Sequence, residues 1–283
     1  MPAIHAPEAW QINHGDRVNG PLLAVVDCGI DYNHPNLAPN VYTNPGEIAG
    51  NGIDDDHNGV IDDVHGYNAA AKNGEPMDTT SHGTHVMGTI AGIGVNGVTG
   101  VSPEARVLAV KFIQDGYGDT ADAIAGLLYA DNMGARITSN SWGGSNYNQA
   151  LYDTLKASPA LHICAAGNDH ADNDVTPAYP ASYDLPNIVS VAAVGQDGNL
   201  AHFSNFGATS VDLAAPGENI YSTLPNGEYG MKSGTSMAAP HVSGSANLIA
   251  TRFPNATNQE IKDRLVFSST RQPQFEGKMI SGG

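Results

Sequence analysis

Three residues that together can turn a hydroxyl into a nucleophile occur in one order along this chain: a carboxylate at Asp27, an imidazole at His82 and a hydroxyl at Ser236. A serine is a weak nucleophile near neutral pH, so it needs a base within hydrogen-bond reach and an acid that orients the base. Ser236 lies in Gly234-Thr235-Ser236-Met237-Ala238-Ala239-Pro240, small residues that open a helix. Backbone N–H groups at a helix N-terminus point at developing negative charge, which suits attack on a carbonyl. His82 begins a second glycine-containing helix start, Ser81-His82-Gly83-Thr84-His85, and Asp27 ends the apolar run Leu22–Val26. Singly, each residue has an ordinary structural job: a strand-end turn for Asp27, a hydrogen bond for His82, an N-cap for Ser236.

The order Asp, His, Ser differs from the Ser, acid, His order of α/β-hydrolases and the His, Asp, Ser order of chymotrypsin-like proteases. The three segments resemble the aspartate, histidine and serine signatures of the subtilisin-like serine peptidases, the subtilases. Ile163-Cys164-Ala165-Ala166-Gly167-Asn168 resembles the family's oxyanion-hole motif, and Asn140-Ser141-Trp142-Gly143-Gly144 its substrate-binding strand. The similarity runs from about Ala6 to the last few residues.

The resemblance implies one subtilisin-like domain over residues 1–283, α/β, with a mostly parallel central sheet and helices on both faces. It assigns Ser236 as nucleophile, His82 as base, Asp27 as the residue that orients His82, and the Asn168 amide with the Ser236 N–H as the oxyanion hole. A peptide would lie as an added strand between Gly116-Tyr117-Gly118 and Ser141-Trp142-Gly143. The pocket before the cleaved bond would be lined by Ala165, Ala166, Gly167 and Ala178, with Asp169 at its rim and a cis Tyr179–Pro180 bond in its wall. Main-chain recognition implies broad specificity, and a small-residue lining implies a preference for large apolar side chains. The partners implied are peptide or protein substrates and an inhibitory pro-segment outside this chain, with a monomeric enzyme placed outside the cell. One departure is Cys28, where the family has threonine or serine after the aspartate. Another is the loop Gly94–Gly100, shorter than the calcium-binding loop of the best-known secreted members, which puts that family calcium site in doubt.

Composition agrees with a packed enzyme. The chain has 283 residues, 41% hydrophobic and 14% charged, enough to bury about 75% of the unfolded surface in one core. Its net charge of −17 excludes the basic footprint of a nucleic-acid binder and disfavours an anionic membrane surface. Met1-Pro2-Ala3-Ile4-His5 has no basic start followed by an apolar stretch, so no signal peptide is expected within the chain, and no apolar run is long enough to span a bilayer. Cys28 and Cys164 each sit on an apolar strand end and are expected to be buried thiols without a disulfide.

Alternating β-type and helical patterns argue a parallel sheet covered on both faces. Strands are expected at 22–27, 107–113, 136–140, 161–165 and 188–194, and helices at 82–92, 120–133, 149–157, 236–252 and 258–268. Asp119 or Thr120 can cap the second helix, Gly134 can end it, and Thr257 with Glu260 forms a capping box.

An acidic insertion carries its own signal. In Asn51-Gly52-Ile53-Asp54-Asp55-Asp56-His57-Asn58-Gly59-Val60-Ile61-Asp62-Asp63, side-chain oxygens alternate and a glycine follows, the layout of an EF-hand-like calcium loop. Asp54, Asp56, Asn58, the Val60 carbonyl and Asp62 or Asp63 are the expected Ca²⁺ ligands; position twelve is His65, so a regular EF-hand is excluded. Two other classes compete with the peptidase. A non-catalytic peptide-binding pseudopeptidase would not need the full set of reactive residues, and an esterase of the nucleophile-elbow type would need a second glycine after Ser236.

Overall fold

The computed structural model describes residues 1–283, apart from the side chain of Pro2. The strands are β1 (Leu22–Asp27), β2 (Gly66–Asn68), β3 (Arg106–Lys111), β4 (Ile113–Gln114), β5 (Tyr117–Gly118), β6 (Ala135–Asn140), β7 (Leu161–Ala165), β8 (Ile188–Val194), β9 (Leu213–Pro216), β10 (Ile220–Leu224) and β11 (Glu228–Lys232). The helices are α1 (Ala6–Ala9), α2 (His82–Ala91), α3 (Thr120–Asn132), α4 (Gln149–Ala157), α5 (Thr235–Arg252) and α6 (Asn258–Phe267). Seven strands form one sheet in the order β2-β3-β1-β6-β7-β8-β9, and every pairing in it is parallel.

All six residues of β1 are buried, as expected for a strand covered on both faces. Leu23 and Val25 join one core with α2, α5 and α6, while Leu22, Ala24 and Val26 join another with α3 and α4. Side chains alternate along a strand, so Asp27 continues the Leu23–Val25 set toward α2 and α5. Strand order also reverses at β1, whose neighbours β3 and β6 both come later in the chain. Sheets of this kind gather reactive groups beyond the strand ends at such a point. The carboxyl ends of β1 and β6 flank it, at Asp27 and Asn140.

Strands at 22–27, 161–165 and 188–194 and the helix at 149–157 coincide with expectation. Asp119 is the N-cap of α3, and the Thr257–Glu260 capping box is formed. The remaining expected boundaries move by one residue, except at 107–113. There the Phe112 N–H donates to Asp27 O, and Ile113 leaves the sheet to pair with Gly118 in a separate two-residue hairpin. Cys28 and Cys164 are free and buried.

Candidate active site

Asp27 is fully buried, and its carboxylate meets His82 Nδ1 at 2.8 Å (Oδ1) and 3.0 Å (Oδ2). Oδ1 also accepts the Cys28 N–H at 2.7 Å, which fixes the plane of the carboxylate. The approach is close because residue 83 is glycine: a Cβ there would lie 2.1 Å from Gly29 O. Asp27 raises the proton affinity of His82 above the ordinary imidazole value; burial and Lys232 oppose it, and Asp78 adds to it.

Ser236 stands in the first turn of α5. Its carbonyl would normally accept from the N–H four residues on, but that residue is Pro240, which has none. The Ser141 hydroxyl takes the vacant role, donating to Ser236 O at 3.0 Å, and the Ser236 hydroxyl donates back to Ser141 O at 3.1 Å. This reciprocal pair joins the end of β6 to the start of α5. The Ser236 hydroxyl thus rests on Ser141, while His82 makes its bond to Asp27.

Asn168 is exposed, and its amide is oriented. Its Oδ1 accepts the Thr235 N–H at 2.8 Å and the Thr235 hydroxyl at 3.1 Å. The Nδ2 group is left as a donor beside Gly234, where an added Cβ would lie 3.7 Å from it. Gly167 before it has φ 114, and a Cβ there would strike Asn205 Nδ2 at 2.4 Å. Thr235 was not singled out in the sequence; its place next to the serine was the available signal.

Ala165 and Ala166 are buried, and Gly167 and Ala178 are half-buried. A Cβ on Gly167 would lie 3.6 Å from Ala178 Cβ, so Ala178 faces that glycine. The Tyr179–Pro180 bond is cis, and Tyr179 exchanges two 2.8 Å backbone hydrogen bonds with Gly144. Asp169 is exposed beside Asn168. Of the two expected edges, Gly116-Tyr117-Gly118 is an exposed hairpin tip and Ser141-Trp142-Gly143 continues β6. The Phe112 ring lies between them, packed on Trp142 at 4.9 Å and close enough to Gly118 to exclude a Cβ there.

The acidic loop brings together Asp54, Asp56 and Asn58 from the expected set, and adds Glu47. Carboxylate oxygens of Asp54, Asp56 and Glu47 all lie within 4.8 Å of one another. Glu47 Oε1 accepts the Asp55 N–H at 2.8 Å, and among the described residues its buried Oε2 has no hydrogen-bond partner. Asp62 is turned away, its carboxylate accepting from the N–H groups of Gly50, Asn51 and Gly52. Asp63 is fully buried on Asn44, Asn58 and Tyr129, and Asn58 Oδ1 accepts the Val60 N–H. The alternate positions 54, 56 and 58 do meet: the Asn58 N–H donates to Asp54 Oδ1 at 3.0 Å and to Asp56 Oδ1 at 3.1 Å. Three carboxylates, one with an unpartnered buried oxygen, are a donor set that fits a hard divalent cation.

A buried acid on an imidazole, a helix-start hydroxyl and an oriented carboxamide, on elements that end near the reversal point of a parallel sheet, make up the candidate active site. The profile of the subtilase family matches residues 18–280, and the chain belongs to that family. It is 36% identical over 261 residues to thermitase of Thermoactinomyces vulgaris, covering 90% of this chain and 82% of thermitase. It is 38% identical over 238 residues to subtilisin-like protease 2 of Plasmodium falciparum (isolate 3D7), covering 80% of this chain but 17% of that longer protein. Among solved structures, a cold adapted subtilisin-like serine proteinase superposes with a TM-score of 0.75 at 26% identity, covering 92% of this chain and 88% of the other.

Proposed function

We propose that this chain is a serine endopeptidase that cleaves peptide bonds through an acyl-enzyme formed on Ser236. The observation that carries the reading is the Asp27–His82 bond, 2.8 Å from a fully buried carboxylate, on the sheet face that also holds α5. Rotation of the Ser236 hydroxyl off Ser141 O delivers its proton to His82 as the oxygen attacks the carbonyl; such bonds commonly tighten only when substrate binds. Asp27 holds the imidazole tautomer and stabilises the imidazolium. The Ser236 N–H and Asn168 Nδ2 receive the oxyanion, and His82 returns the proton to the leaving amine. Water then repeats the sequence on the acyl group.

Small residues at Ala165, Ala166, Gly167 and Ala178 support a preference for large apolar side chains before the cleaved bond. Ala178→Phe is expected to shift a peptide-library cleavage profile toward small side chains there; an unchanged profile removes Ala178 from the pocket. An inhibitory pro-segment, a monomeric enzyme and an extracellular setting belong to the same reading and rest on the family resemblance alone.

Calcium is the proposed resident of the acidic loop, held by Glu47, Asp54 and Asp56. Bound there, the cation neutralises carboxylates that otherwise repel, and supplies structural rather than reactive chemistry. A fluorophosphonate tests the central reading. Intact-mass analysis is expected to show one adduct, on Ser236, whereas a folded protein that takes no adduct is a pseudopeptidase.

A further inference from the structure

Behind His82 lies a second buried carboxylate that the reaction above does not use. Asp78, 3% exposed, sits in the loop before α2. Ser81 is the N-cap of that helix, yet it has φ 84 and makes no side-chain cap, although accepting an early amide is the usual task of a serine there. Asp78 performs it from outside the helix. Its Oδ1 accepts the N–H groups of Thr80 at 2.7 Å and Ser81 at 2.9 Å; its Oδ2 accepts the Thr84 N–H at 3.0 Å and the Thr84 hydroxyl at 2.6 Å.

The same carboxylate reaches the strand that carries Asp27. The Cys28 thiol donates to Asp78 Oδ1 at 3.3 Å, and its sulfur accepts the Gly83 N–H at 3.1 Å. Burial first, then the charges of Asp27 and Asp78, push the Cys28 thiol up, so it keeps its proton and stays a donor. The loop is pinned from its other side too. Ile30 N–H donates to Pro76 O at 3.0 Å, and the buried Lys111, register partner of Asp27, donates to Met77 O at 2.9 Å. One carboxylate therefore joins the first turn that bears His82 to the residue beside Asp27.

We propose that Asp78 is a positioning residue for the peptidase reaction, holding His82 in line with Asp27 through the first turn of α2 and through the Cys28 thiol. The inference rests on the Asp27–His82–Ser236 reading. Electrostatics point the same way. The charges facing His82 are Asp27 from β1, Lys232 from the end of β11 and Asp78 from this loop, with neutral His85 one turn along α2. Asp27 and Asp78 raise its proton affinity, and Lys232 lowers it. Burial works against ionised Asp78, but its bonds from Thr84, Thr80 and Ser81 outweigh that and hold it below the ordinary carboxylate range.

The test is the pH profile of kcat/KM for Asp78→Asn beside wild type. kcat is expected to fall on the order of tenfold to a hundredfold, the scale of a small misplacement of a reacting group, with KM little changed. The acidic limb is expected to move to lower pH, because an imidazole that has lost a neighbouring negative charge gives up its proton more readily. Loss of a helix clamp alone would lower the melting temperature and leave that limb in place. Cys28→Ala is expected to lower kcat by a smaller factor, and Cys28→Ser, which keeps a donor and an acceptor, to recover most of the loss. A folded Asp78→Asn enzyme with wild-type kcat and an unmoved acidic limb overturns the proposal. If Asp78→Asn does not fold, wild-type kcat and pH profile in both Cys28→Ala and Thr84→Val overturn it. Failure of wild type to take a fluorophosphonate on Ser236 removes the underlying reading instead, and is seen before any Asp78 variant is made.

Discussion

The reactive centre and the acidic loop both crowd charged oxygens together, but different forces hold them. Asp27, His82 and Ser236 sit at ends of elements whose buried side chains fix the backbone, so the Asp27–His82 bond follows from register and alternation. Glu47, Asp54 and Asp56 lie outside every strand and helix, and the loop is held by side chains folding back on their own amides. A site built on a core keeps its geometry when a side chain is changed. A site built on charge keeps it only while the charge is balanced. Changes at the first are therefore expected to alter chemistry without stability, and changes at the second stability without chemistry.

Ser236→Ala is the largest expected effect, a fall in kcat on the order of 10⁶-fold with the melting temperature unchanged; a comparable loss of stability would erase the contrast. Asn168→Ala comes next, with kcat lowered by about 10²–10³ and KM little altered; an equal loss of substrate binding would remove Asn168 from the oxyanion site. For the loop, chelation from a starting calcium level near a hundred times its Kd is expected to lower the melting temperature by about 4–5 °C. Asp54→Ala with Asp56→Ala should abolish that sensitivity, and residual sensitivity would place the cation elsewhere. Acid probes the core. Burial pushes His85 and His241 down to about 4 and His162 down to about 3. These folded values lie below the unfolded one, so the unfolded chain binds more protons as pH falls below about 6.5. Stability is expected to be full above that value and to drop toward pH 4, which thermal melts will show. The smallest effect is Lys232→Gln: loss of the cation facing His82 should move the acidic limb of kcat/KM slightly upward, and a downward shift would contradict the assigned electrostatics.

What the sequence discloses follows the same division. Asp27, His82, Ser236 and Asn168 lie in short motifs on strong elements, where a few neighbouring residues determine the backbone. Alternation at Asp54, Asp56 and Asn58 marks residues that do converge, but no local pattern marks Glu47, which joins them from outside the run. The turn Pro225-Asn226-Gly227 between β10 and β11 did carry a hairpin signal, with positive φ at Asn226 and Gly227, yet neither strand was expected. β9, Leu-Ala-Ala-Pro, has no strand signature; it is a strand because β8 offers it an edge. Asp78 was invisible as a helix cap because Ser81 occupies the position where a cap is sought.

The interior place of β1 in the sheet has a consequence for how the molecule comes into being. β1 is made early, yet its sheet partners wait: Leu22 pairs with Arg106 on one side and Ala135 on the other. No pairing in the main sheet is a local hairpin, so chain closure must precede nearly all the stabilising contacts, a topology that folds slowly. While part of a population remains open, its earliest finished members can digest the rest. Yield on refolding should therefore depend on the activity of the product: the Ser236→Ala protein should refold without concentration-dependent loss, while wild type consumes its own unfolded fraction.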